Sequence, residues 1–270
     1  MEPLEFIDPE YQAESHSRYH LYLELSEKAF RAVFIDPLNL KVCRLLDSNN
    51  SSLEDFLNRL GKIQESKTLV AIANRTASLI PESIFEEKAV ADYMNLINDT
   101  ELKIEDIRWD NLPSVSANLV YAVETELITK LESKINQVSI GHHASFFIYL
   151  CSLEQAQHDE TVMYVNLDSS RIDLAVFNAE DLQFYNAFQN YGNQDPLYHI
   201  AHVAETLKIP TQHINCKLSG SFSQSQIEQL GTYLGSVNRR SIDSQLKLPP
   251  NLIPENQLTY HSLIQLHLCE

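Results

Sequence analysis

Two stretches of this 270-residue chain carry the same order of short apolar runs and turns, displaced by 142 positions. In the first, runs over 21–25, 29–35 and 40–46 are rich in β-branched and aromatic residues and are separated by Ser26-Glu27-Lys28 and Asp36-Pro37-Leu38-Asn39. Those separators have turn chemistry, so the segment reads as a three-stranded antiparallel meander. A helix with Leu53, Phe56, Leu57 and Leu60 on one face follows, opened by Ser51-Ser52-Leu53-Glu54 and ended by Gly61. The continuous apolar run over 68–73 then predicts a strand covered on both faces. In the second stretch, strands over 161–167, 171–177 and 182–188, a helix opened by Asp195-Pro196 and a strand over 213–218 repeat that order. The displacement pairs Tyr22 with Tyr164, Leu25 with Leu167 and Leu40 with Leu182. It also pairs Leu23 with Val165, Phe30 with Ile172, Val42 with Phe184 and Leu46 with Phe188. Recurrence of three hairpin strands, a helix and a strand predicts a duplicated α/β unit.

Around the repeat, residues 1–17 read as a loosely attached lead-in. The first lobe then covers 18–158, the second 159–254, and 255–270 is a C-terminal helix with Tyr260, Leu263, Ile264 and Leu268 on its apolar face. Within the first lobe the pattern predicts a helix over 89–97, a strand pair over 106–109 and 117–123 and a helix over 124–135. A strand over 138–140 and a buried helix over 142–153 complete it. The Gln-rich stretch 154–160 is the expected boundary between lobes.

Charge and glycine usage narrow the function. With 37 acidic against 20 basic side chains the formal net charge is −17, a field that repels phosphate backbones and anionic lipid surfaces. Nucleic acid is therefore not an expected partner. No apolar run is long enough to span a bilayer and the N-terminus lacks the basic and apolar regions of a secretory signal, so a cytoplasmic protein without membrane insertion is expected. The six glycines stand apart, which excludes a Walker A loop and a GxGxxG turn. Cys43, Cys151, Cys216 and Cys269 form no CxxC pair and read as reduced thiols in or near the core. His199 and His202 are three apart on one helix, yet without an acid or Cys at ligand spacing they read as a surface pair. His142-His143, after Gly141, reads as a capping turn with solvated imidazoles.

Two tandem meander-helix-strand units resemble the doubled ribonuclease H-like fold of the actin-like ATPase superfamily. The whole chain resembles a bacterial family known as domain of unknown function 3822, with that fold. The segment from Asn186-Ala187-Phe188 to residue 207 also resembles the second lobe of actin-like adaptors of type IV pilus assembly. The resemblance implies an α/β protein of two lobes, each with a mixed five-stranded sheet flanked by helices, and a C-terminal helix that returns to the first lobe. It also locates the nucleotide site of active members at an Asp-x-Gly in each first hairpin, and this chain departs from it twice. The hairpins read Glu24-Leu25-Ser26 and Asn166-Leu167-Asp168, without the glycines, and Asp168 brings negative charge where phosphate would sit. Leu218-Ser219-Gly220-Ser221-Phe222 keeps one glycine of the adenosine-side turn. Glu24, Ser26, Asn166, Asp168, Ser169, Ser170 and Gly220 are thus the cleft positions, vestigial as a cofactor site, with Ser169 and Ser170 as hydroxyl donors to an anion or as a plain polar turn. No catalytic residue, metal ligand or cofactor is expected. The reading is a protein-binding adaptor with an unknown protein partner. Its rivals are an ATP-binding enzyme with altered motifs and a small-molecule binding module.

Overall fold

The computed structural model describes residues 4–49, 51–61, 63, 66–98, 102–156 and 160–269. The chain divides into two compact units: 1–146 with 243–250 and 266–270, and 147–242 with 251–265.

In the first unit, the meander forms as β2 (His20–Ser26), β3 (Ala29–Asp36) and β4 (Lys41–Asn49), preceded by a short β1 (Glu5–Ile7). Helix α1 (Leu53–Leu60) follows, with Ser52 capping Asp55 N–H and Gly61 ending it at φ +84°. Strand β5 (Lys67–Ala73) leads into an inserted module of β6 (Ala77–Pro81), α2 (Val90–Asn95), β7 (Ile107–Leu112) and β8 (Ala117–Ala122). Helix α3 (Thr125–Lys134) and β9 (Gln137–His142) complete the run, and α4 (His143–Gln155) begins in this unit and continues in the second. The main sheet has the order β1-β4-β3-β2-β5-β9, and β6-β8-β7 form a separate sheet. β5 is parallel to both β2 and β9, which explains its unbroken apolar sequence. The inserted sheet closes a small core of its own around Met94, Val120, Ile80 and Ile107.

In the second unit, β10 (Thr161–Leu167), β11 (Arg171–Asn178), β12 (Asp181–Gln189), α5 (Asp195–Thr206), β13 (Asn215–Gly220), α6 (Gln224–Tyr233) and β14 (Ser236–Arg239) give the order β12-β11-β10-β13-β14. That is the order β4-β3-β2-β5-β9 over again. Val165, Ile172, Leu174 and Val176 of one sheet face bury against Ile200, Val203 and Leu230 of α5 and α6.

The duplication extends to an irregularity. The β3–β4 ladder shifts register between Phe34 and Ile35, and the β11–β12 ladder shifts between Val176 and Phe177, the same step 142 positions on. The displacement then shortens to 140 in the third strand, where Val42, rather than Leu40, is the counterpart of Leu182: Ile35 pairs with Val42 and Phe177 with Leu182. The cause is the preceding turn, which holds four residues, 37–40, in the first unit and two, 179–180, in the second. Both turns use a left-handed residue, Leu40 and Ala179.

Several sequence expectations need correction. The lead-in is not loose: β1 adds a sixth strand to the first sheet by pairing with β4, Asp8 is buried and ion-paired to Lys41 at 2.9 Å, and Tyr11 packs on Tyr19 and Phe34. Residues 1–3 of that lead-in lie outside the described residues. The unit division falls inside α4, after residue 146, instead of at 154–160, of which 157–159 lie outside the described residues. Residues 255–270 do not form one helix that returns to the first lobe. Instead α7 (Pro254–Thr259) and α8 (His261–Ile264) pack on β13, and Leu258 joins the second unit's core. Only residues 266–270 group with the first unit, and Glu270 is outside the described residues.

Candidate functional site

At the C-terminal end of β2, Glu24 sits opposite Arg31 of β3 in the antiparallel register. Both side chains are buried. Arg31 Nη1 donates to Glu24 Oε1 at 2.9 Å, His143 Nδ1 donates to Glu24 Oε2 at 2.9 Å, and Arg31 Nε lies 3.4 Å from Asp47 Oδ2. Each carboxylate oxygen of Glu24 is therefore engaged inside the protein. Two residues on, Ser26 Oγ donates to Ala29 O at 2.9 Å and accepts Ala29 N–H, closing the β2–β3 turn that a glycine would leave open.

The corresponding end of β10 carries Asn166 opposite Asp173, at the positions equivalent to Glu24 and Arg31. Asn166 Oδ1 accepts from Ser219 and Ser262 at 3.0 and 3.1 Å, and Asp173 is bonded by Arg171 and Tyr185. Asp168 is buried with its carboxylate accepting Ser169 N–H at 2.7 Å, and its backbone O accepts from Asn190. Ser169 is exposed, and Ser170 O accepts Asn190 N–H. Gly220 ends β13 at φ +92°, and a Cβ there would lie 2.1 Å from Leu167 O. Close approach of two strand ends requires this glycine. Asn166, Asp168, Ser169, Ser170 and Gly220 thus meet at one sheet end of the second unit, and Glu24 and Ser26 at one sheet end of the first.

The histidine pair after Gly141 is buried, contrary to the solvated imidazoles expected. His142 does cap its turn: Nδ1 accepts Ala144 N–H at 3.1 Å, so Nε2 carries the proton and donates to Asn74 Oδ1 at 3.2 Å. Asp110 gathers Ser145 Oγ at 2.6 Å, His142 N–H at 2.8 Å and Tyr121 OH at 3.1 Å. Burial pushes its carboxyl above the usual range despite those donors. Ser145 bonds to Asp110, so no Ser-His-Asp relay forms. His199 stacks on Phe188 at 4.2 Å and His202 lies against Tyr198, which accounts for that pair by packing. Among the described residues no cluster of three or more His, Cys, Asp or Glu could hold a metal ion.

A cavity of about 600 Å³ opens in the first unit at the C-terminal ends of the parallel strands β2 and β5. This is where open α/β sheets take ligands. Leu25, Phe30, Leu53, Ile72 and Leu127 give it apolar walls. Glu27, Asp106, Glu124 and Glu126 also line it, with Lys130 the one basic side chain among the lining residues. Sequence spacing gave no sign of this assembly, because Asn98 and Asp106 reach it from the inserted module.

This architecture defines a protein of the actin-like ATPase fold. It is similar to a protein of that fold and unknown function from Bacteroides thetaiotaomicron, with a TM-score of 0.77 and 17% identity over 94% of this chain and 98% of that one. The chain belongs to the family "Protein of unknown function (DUF3822)", whose profile matches residues 8–234. It is also similar to a chain of the PilM–PilN type IV pilus biogenesis complex, with a TM-score of 0.57 and 12% identity over 91% of this chain and 97% of that one. The cytoplasmic domain of EpsL, an inner membrane component of the type II secretion system of Vibrio cholerae, matches with a TM-score of 0.51 and 11% identity over 93% and 95%. No curated protein matches in sequence. No helix among the described residues is long and apolar enough to cross a membrane.

Proposed function

We propose that the chain is a non-catalytic, protein-binding adaptor whose nucleotide site is degenerate. The observation that carries this reading is the clamp on Glu24: its carboxylate is buried against Arg31 and His143, so its charge is already matched within the fold instead of being left for a metal ion. Ser26 fills a turn where phosphate grip needs a bare backbone, and Asp168 turns its carboxylate onto its own Ser169 N–H. Phosphoryl transfer needs the phosphate chain positioned and its charge neutralised, and these residues do neither. Membership of a type IV pilus biogenesis complex by a protein of the same fold supports an assembly role. The acidic excess favours a basic partner surface and a salt-sensitive association.

The test is calorimetric titration with ATP and Mg²⁺ together with a phosphate-release assay. The adaptor reading expects no heat of binding and no release above background. A dissociation constant of about 10 μM or tighter, near −7 kcal/mol, would overturn it. The cavity beside β2 and β5 favours a second reading, a small-molecule binding module; saturable thermal stabilisation by a metabolite without turnover would select it.

A further inference from the structure

The cavity of the first unit has a charge pattern that selects its occupant. Four carboxylates line it, and the single lysine, Lys130, is already paired with Glu126 at 2.8 Å. The start of α3, where backbone N–H groups would receive a phosphate or carboxylate, is filled from within: Asp106 Oδ1 accepts Thr125 N–H at 2.7 Å. That bond holds the Asp106 carboxyl below the usual range, so it stays ionised at neutral pH. The start of α1 is filled likewise, by Ser52 on Asp55 N–H. With one N–H at each nearby helix start already taken by the protein's own side chain, an anionic ligand would meet four carboxylates and a lysine that is itself paired. Glu27 and Glu124 stand exposed at the rim, beyond an apolar interior formed by Leu25, Phe30, Ile72 and Leu127.

The geometry points to a docking site for an extended peptide segment of a partner protein that places an aliphatic or aromatic side chain in the cavity and an adjacent Lys or Arg against Glu27 and Glu124. The volume of about 600 Å³ lies inside the range of ligand pockets, roughly 300–1,000 Å³. The apolar wall supplies affinity, and the rim supplies on-rate and register. This inference rests on the adaptor reading and gives it an address and a partner chemistry.

A phage-displayed library of random dodecapeptides, panned on the full chain at low salt, tests it. The expected result is enrichment of sequences with Lys or Arg next to a large apolar residue. A synthetic consensus peptide should then bind the Glu27→Lys/Glu124→Lys variant at least tenfold more weakly than the wild type. The Glu27→Gln/Glu124→Gln variant, which avoids adding positive charge at a helix start, should fall between them and should melt as the wild type does. Enrichment of acidic or charge-neutral peptides, or no enrichment, overturns the proposal. Equal binding of the consensus peptide to all three proteins overturns this site while leaving the adaptor reading standing. Displacement of the peptide by ATP and Mg²⁺ overturns both.

Discussion

Replacing Arg31 by Met tests whether the Glu24 cluster is held together as the geometry implies. Arg31 bridges two carboxylates: Nη1 reaches Glu24 at 2.9 Å and Nε faces Asp47 at 3.4 Å. Glu24 and Asp47 are 5% and 6% exposed, so neither can turn to water when the guanidinium is removed. Breaking a buried ion pair from one side commonly costs about 3–5 kcal/mol, because the remaining charge is left without its partner. At about 2–4 °C of melting temperature per kcal/mol for a unit of this size, the expected fall is roughly 6–20 °C. Arg31→Lys keeps the charge, but a single ammonium cannot reach both carboxylates along a planar fork, so its melting temperature should lie between the two. Differential scanning calorimetry reads both variants. If Arg31→Met melts within about 2 °C of the wild type, or if Lys and Met are equivalent, the cluster carries no such weight and the argument that Glu24 is committed to the fold fails.

The remaining expectations concern single positions. Gly220→Ala puts a Cβ against Leu167 O at +92°, and should cost more than about 3 kcal/mol by chemical denaturation, whereas Gly61→Ala, with open space at +84°, should cost about 1 kcal/mol. Because Thr125 N–H depresses the folded pKa of Asp106, the stabilisation is present above the ordinary carboxylate pKa and lost as pH falls through the lower folded value. Asp106→Ala should therefore lower the melting temperature at pH 7 and make little difference at about pH 2. Burial pushes the Cys151 and Cys216 thiols up to about 12, so a thiol-disulfide reagent at pH 8 should label neither until the chain is unfolded.

The repeated unit was legible because its signals are local. Alternation, turn residues and capping chemistry are written into runs of a few residues, so the strands of both meanders, the stop at Gly61 and the start of α5 could be read directly, while the cap expected from Ser51 and Glu54 falls one residue on, at Ser52 and Asp55. The edge strand β1 was not, because three residues carry too short a pattern and only pairing with β4 defines it. The same holds for β6, whose partner β8 lies about forty residues further along. The hairpin positions Glu24, Ser26, Asn166 and Asp168 were located by the repeat, but their engagement was not, since His143 and Ser262 reach them from distant elements. His142 and His143 were misjudged for the same reason: a polar residue at a strand-to-helix junction looks solvated until the chain that covers it is known.

The unequal meander turns carry a consequence for how such repeats drift apart. Which side of the sheet Val42 and Leu45 face is set by their partners, Ile35 and Val33, and an odd residue is absorbed without flipping them, as Cys43 is at the register shift of this same ladder. The turns 37–40 and 179–180 differ by two residues, while the ladders they join keep equivalent pairs. Length variation in these hairpins is thus confined to the turn. One copy can gain or lose turn residues with its core undisturbed, while the numerical alignment of the copies slips out of step at each event. Resemblance between such halves fades from the sequence sooner than from the backbone.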